Sequence, residues 1–101
     1  MLNIKMEKVG DELHVGLEGR LNNMTAKDCG QQIQSELDNV RRVVLDFANL
    51  EYISSAGLRV LVALQVHMEK SGGEDVCVRN ATGIVLETLE IAGFRGVINF
   101  E

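Results

Sequence analysis

The feature that most restricts the fold is Val43-Val44-Leu45-Asp46-Phe47, an apolar run interrupted by a single aspartate. Successive side chains of an extended chain point to opposite faces, so this run makes a strand with no wet side. Such a strand belongs in the middle of a sheet, in the parallel arrangement that covers both faces. Upstream the pattern is different. Leu2, Ile4 and Met6 alternate with Asn3, Lys5 and Glu7, and beyond a turn at Gly10-Asp11, Leu13, Val15 and Leu17 alternate with Glu12, His14, Gly16 and Glu18. This period of two predicts an antiparallel hairpin with one buried face, its second strand ending at Gly19.

Helical spacing fills the gaps. Ala26, Cys29, Ile33, Leu37 and Val40 predict an amphipathic helix of roughly four turns. Thr25 and Asp28 at its start resemble a capping box with Asp in place of Glu. Gly57 to Ser71 reads as a second helix with Leu58, Leu61, Val62, Leu64 and Met68 on one broad face, stopped by Gly72-Gly73. Val76 to Val78 is a short strand, Thr82 to Ile91 a third helix burying Val85, Leu86 and Leu89, and Val97 to Phe100 a last extended piece. The order predicts an α/β fold, a mixed sheet of four to five strands with later strands parallel and helices packed on it. At 101 residues it is expected to be one domain, 1–101.

Charge excludes several functions. A net charge of −5, with only Arg41 and Arg42 adjacent among the basic residues, argues against gripping nucleic acid or an anionic membrane. No apolar run has the roughly 20 residues of a membrane span, and Lys5, Glu7 and Lys8 interrupt any signal-peptide core, so the cytoplasm is the expected compartment. Cys29 and Cys77 are too far apart for a local metal or redox motif and read as core residues. No His, Cys or carboxylate cluster has ligand spacing, so neither metal nor cofactor is expected.

The informative segment joins the central strand to the second helix, Asp46-Phe47-Ala48-Asn49-Leu50-Glu51-Tyr52-Ile53-Ser54-Ser55-Ala56-Gly57-Leu58. Ser54 or Ser55 can cap the helix, its side-chain oxygen accepting a bond from a free backbone N–H. A hydroxyl beside small Ala56 and Gly57 is also accessible, at a helix end that stabilises anions. Asp46 reads as a cap of the following loop. An enzyme reading would need a base near the serine. His67 lies ten residues beyond Gly57, roughly 15 Å along the helix, and His14 falls on the polar face of a hairpin strand. Ser-Ser-Ala-Gly is not the Gly-x-Ser-x-Gly elbow of hydrolases, so no catalytic residue and no enzymatic activity is expected.

Asp46 through Leu61 resembles, without gaps, the signature of STAS domains, named for sulfate transporters and anti-sigma factor antagonists. Leu17-Glu18-Gly19-Arg20-Leu21-Asn22 with Thr25-Ala26 resembles the family's Gly-x-Leu-Asp and Thr-Ala elements, and Ser71-Gly72-Gly73 and Leu89 through Gly93-Phe94 fit as well. The resemblance implies helices packed mainly on one face of the sheet and a phosphorylatable serine two residues before the Gly-Leu pair, here Ser55, its neighbour Ser54 being the alternative acceptor. It implies a protein-binding switch: an anti-sigma factor antagonist that binds an anti-sigma factor with serine kinase activity and is reset by a metal-dependent serine phosphatase. The partner surface is expected around Asn22, Asn23, Ser54, Ser55, Ala56, Gly57 and Arg59. Arg59, one turn into the helix, can pair with a phosphate or a partner carboxylate, or stay solvated. Ser54 stands where many members carry an acid, and Asn22 where Asp is common. The alternative within the fold is an unphosphorylated docking module of a transporter or stress-signalling scaffold.

Overall fold

The computed structural model describes residues 1–101. Strands β1 (Leu2–Val9) and β2 (Glu12–Leu21) form the antiparallel hairpin, in register from Leu2 opposite Gly19 to Val9 opposite Glu12. Helix α1 (Ala26–Gln34) leads to β3 (Arg42–Ile53), α2 (Ser55–Lys70) to β4 (Cys77–Arg79), and α3 (Gly83–Ile91) through a 3-10 turn (Phe94–Gly96) to β5 (Asn99–Phe100). The sheet runs β1-β2-β3-β4-β5 with every pair after the hairpin parallel, so the apolar run of β3 is central.

One contiguous core of 23 buried residues joins the helices to one face of this sheet, with Leu13, Val15 and Leu17 of β2 facing Val43, Leu45 and Phe47 of β3. Val44 and Cys77, neighbours on the other face, are buried as well, at 1% and 2% exposed. Charged side chains occupy that face around them. Glu12 bonds His14 Nε2 at 3.0 Å and Arg42 at 3.4 Å, and Glu101 takes Arg42 at 2.8 Å and Arg79 at 2.8 Å. Residues whose apolar stems shield the sheet while their charges pair need no second layer of helices.

Three expectations about the helices change. The first helix has nine residues rather than four turns, because Ser35 Oγ donates to Gln32 O and the chain leaves helical geometry before Asn39 at φ 63°. Leu37 and Val40 still reach the core from turns beyond it. Thr25 caps nothing with its side chain. Its hydroxyl accepts from Asn22 N at 2.9 Å and donates to Arg20 O at 2.9 Å. On α2, Val62 is exposed, and Gln65 takes an inner place; on α3, Leu86 is only half-buried.

Gly19 does not end β2. At φ 110° it lies inside the strand, where a Cβ would meet Met1 O at 2.3 Å, so its backbone geometry and its neighbour both demand glycine. Likewise β3 does not stop at Phe47 but continues to Ile53 across two bulges, between the pairs Gly16–Asp46 and Glu18–Asn49 and between Gly19–Leu50 and Arg20–Tyr52. Each extra residue resets the strand's alternation. Phe47, Leu50 and Ile53, three apart in sequence, therefore all face the core.

Candidate functional site

The bulged end of β3 delivers the chain to α2 at the C-terminal edge of the parallel strands. Ser54 is the last extended residue, at φ −97° and ψ 176°, and caps the helix: its Oγ accepts from Gly57 N at 3.4 Å. Its amide donates to Leu21 O at 2.9 Å, and its hydroxyl donates to Asn23 Oδ1 at 3.4 Å. Ser54 thus ties the β3–α2 junction to the loop after β2. The choice between the two serines as cap falls to Ser54.

Ser55, the first residue of α2, is exposed, and its hydroxyl takes part in no hydrogen bond within the chain. It stands where the free amides and dipole of a 16-residue helix favour negative charge, and no acidic residue occupies that first turn. No histidine reaches it. His14 bonds Glu12 on the opposite face of the sheet, and His67 belongs to the last turn of α2.

Gly57 explains how α2 sits so close to the strand ends. It is buried, and a Cβ there would lie 2.8 Å from Ile53 Cγ1 and 2.9 Å from Leu21 Cγ, both in side chains with no room to retreat. Leu21 and Ile53 are therefore the seat on which the Ser54-Ser55 turn rests. Nothing in their own local pattern distinguishes them from other core residues.

The two asparagines behave differently. Asn22 is half-buried and its Oδ1 accepts from Met24 N at 2.9 Å, so its carboxamide is spent within its own loop. Asn23 is exposed and faces Ser54. Ala56 packs partly against the core, while Arg59 is exposed, one turn beyond Ser55, and forms no ion pair in the chain. Residues three and four apart on a helix are surface neighbours, so the guanidinium can reach a group carried on Ser55. Asp46 does cap its loop, accepting from Ala48 N at 2.9 Å and from Asn80 Nδ2 at 3.1 Å.

The remaining reactive groups are set apart. Burial, reinforced by Asp28, pushes the Cys29 thiol up to about 11. Burial also raises Cys77, and both cysteines are free. No group of three His, Cys, Asp or Glu side chains has the geometry to hold a metal ion, and no helix is long and apolar enough to cross a membrane.

Comparison with known proteins agrees with this architecture. The family model described as "Mlab, STAS domain" matches residues 4–99. A protein of Bordetella bronchiseptica assigned as the anti-sigma factor antagonist BtrV is 34% identical over 97 residues, covering 95% of this chain and 83% of its own. Among solved structures, TM1081 of Thermotoga maritima superposes with a TM-score of 0.88 at 18% identity, over 96% of this chain and 84% of that one. SpoIIAA matches in its unphosphorylated form, with a TM-score of 0.80 at 16% identity over 98% of this chain and 87% of that one. The phosphorylated form of SpoIIAA from Bacillus matches with a TM-score of 0.77 at 14% identity, over 98% and 91%. The sheet order, the helices gathered on one face and the match along nearly the whole length lead to one conclusion: the chain belongs to the STAS domain family and has the fold of the anti-sigma factor antagonists.

Proposed function

We propose that the chain is an anti-sigma factor antagonist switched by phosphorylation of Ser55. Unmodified, it binds and sequesters an anti-sigma factor that is also a serine kinase, releasing a sigma factor or a related output in the cytoplasm. Phosphorylation ends the binding, and a metal-dependent serine phosphatase restores it. The observation that carries this reading is the division of labour between adjacent serines: Ser54 is held as the helix cap, and Ser55 is exposed with its hydroxyl free. The role assigned to BtrV, at 34% identity, supports it. Ser55 acts here as the phosphate acceptor in a reaction catalysed by the kinase and not as a catalytic nucleophile of this chain, since its hydroxyl has no base in hydrogen-bond contact.

The energetics follow from charge. A phosphate adds about −1.5 to −2 charge, which the start of α2 and Arg59 can accommodate, so the domain stays folded. Desolvated in a closed interface without a partner, the same charge costs on the order of 3–5 kcal/mol, a weakening of about a hundredfold or more. Incubation with ATP and candidate anti-sigma factor kinases, followed by mass spectrometry, should find one phosphate on the peptide containing Ser54 and Ser55. Ser55→Asp should bind the kinase weakly and Ser55→Ala constitutively. Equal binding by both variants and the parent refutes the switch, and no phosphate with any kinase favours constitutive docking.

A further inference from the structure

The outward face of α2 continues from Ser55 through Arg59, Val62, Ala63 and Val66, and Val62 and Val66 are 46% and 40% exposed. Along one flank of this face lies an open groove of about 580 Å³ between α1 and α2. Its floor is Ile33 and Leu64, with Val60 and Ala63 on the α2 side. Gly30 sits in the middle of α1 opposite Val60, where a Cβ would be 3.6 Å from Val60 Cγ2, an ordinary contact. Packing therefore does not demand a glycine there, although glycine costs a helix interior about 1 kcal/mol relative to alanine. Its effect is to leave the groove open.

Charge identifies the occupant. The chain carries 15 acidic and 10 basic residues, yet the groove is lined by Lys27 and Arg59 and by no acid. Neither cation is paired within the chain. Lys27 is the second residue of α1 and Arg59 the fifth of α2, so both stand toward the starts of their helices, the end nearer Ser55. We propose that this groove seats an amphipathic helix of the anti-sigma factor, its apolar residues against Ile33, Val60, Ala63 and Leu64 and an acidic side chain between Lys27 and Arg59. Helix-in-groove recognition needs this combination of an apolar trough and a charge that sets direction. The inference rests on the switch reading of Ser55 and deepens it. A phosphate on Ser55 draws Arg59 one turn back and sets its own charge beside the partner's acid, so modification removes an attraction and adds a repulsion.

The test uses the kinase that phosphorylates Ser55 in the assay above, with binding measured by biolayer interferometry. Lys27→Glu and Gly30→Leu both lie on α1, away from the helix that carries Ser55. Each should weaken binding tenfold or more while thermal unfolding shows a folded chain, and the parent's affinity should fall several-fold between 50 and 500 mM NaCl. Should Gly30→Leu fail to fold, Lys27→Glu and the salt series decide alone. Parent-like binding by the groove variants, with Ser55→Asp still weak, overturns the groove and leaves the switch intact. No binding by the unmodified parent overturns both.

Discussion

Gly57→Ala separates two physical effects that act in opposite directions. Helix propensity alone predicts that the substitution stabilises α2, by at most about 1 kcal/mol. The structure predicts the reverse, because the new methyl would stand 2.8 Å from Ile53 Cγ1, 2.9 Å from Leu21 Cγ and 3.1 Å from Leu21 Cδ2. Both neighbours are core side chains, 3% and 0% exposed, so relief requires α2 to lift or both residues to leave their rotamers. Overpacking costs about 1–3 kcal/mol, and two core side chains met at once place this site in the upper part, about 2–3 kcal/mol; less a propensity gain of about 1 kcal/mol, roughly 1–2 kcal/mol of destabilisation remains. For a chain of this size that lowers the melting temperature by about 4–15 °C. Calorimetry or urea denaturation with an unchanged m-value measures it, and Gly30→Ala is the matched control. There the added Cβ meets only Val60 at 3.6 Å, so the same chemical change should stabilise by about 0.5–1 kcal/mol. Lifting α2 also moves Ser55, so the kinase should phosphorylate Gly57→Ala more slowly than the parent. A Gly57→Ala protein as stable as the parent would refute the claim that close approach to Leu21 and Ile53 sets the position of the site.

Further consequences are simpler to check. Ser54→Ala removes the bond from Gly57 N and the tie to Asn23, and should cost about 1 kcal/mol in denaturant unfolding while Ser55 is still phosphorylated by mass spectrometry. Gln65 is 2% exposed, its Oε1 accepting from Val76 N at 2.8 Å and its Nε2 donating to Asp75 at 2.8 Å; Gln65→Leu strands that amide and should destabilise by about 1–3 kcal/mol despite the apolar replacement. Hydrogen bonds from Arg79, then Cys77, hold the Glu101 carboxyl below its ordinary value of 4.5. A carboxyl lowered on folding contributes stability that is present above its unfolded value and is lost as pH falls through the folded one. The parent should therefore lose stability below pH 4.5 more steeply than Glu101→Gln, and parallel acid titrations would count against the Arg42–Glu101–Arg79 network.

The elements that repeat a local period were legible in advance. Leu13, Val15 and Leu17 alternate, and their parity alone assigns them to the buried face; the dry run Val43 to Phe47 belongs in the centre of the sheet for the same reason. The start of α2 was legible too, since a hydroxyl just ahead of a helical period is the usual cap, and Ser54 fills that role. Periodicity carries this information because side-chain direction in a strand or helix is set by the backbone itself.

What remained was decided by groups distant in sequence. Phe47, Leu50 and Ile53 have no strand period, and they face the core together because pairing with Gly16 to Leu21 forces two bulges into β3. Leu37 and Val40 continue a helical spacing but are buried from turns. Whether Ser54 or Ser55 caps α2 is equally open to local sequence, because either oxygen could turn back to the helix. Leu21 O and Asn23, some thirty residues away, hold Ser54 in the extended conformation of a cap, and that leaves Ser55 outside. The groove beside it exists only where α1 and α2, separated by a whole strand, lie side by side across Gly30 and Val60. A residue's own neighbours determine which way its side chain points, and only the closed fold determines what it meets there.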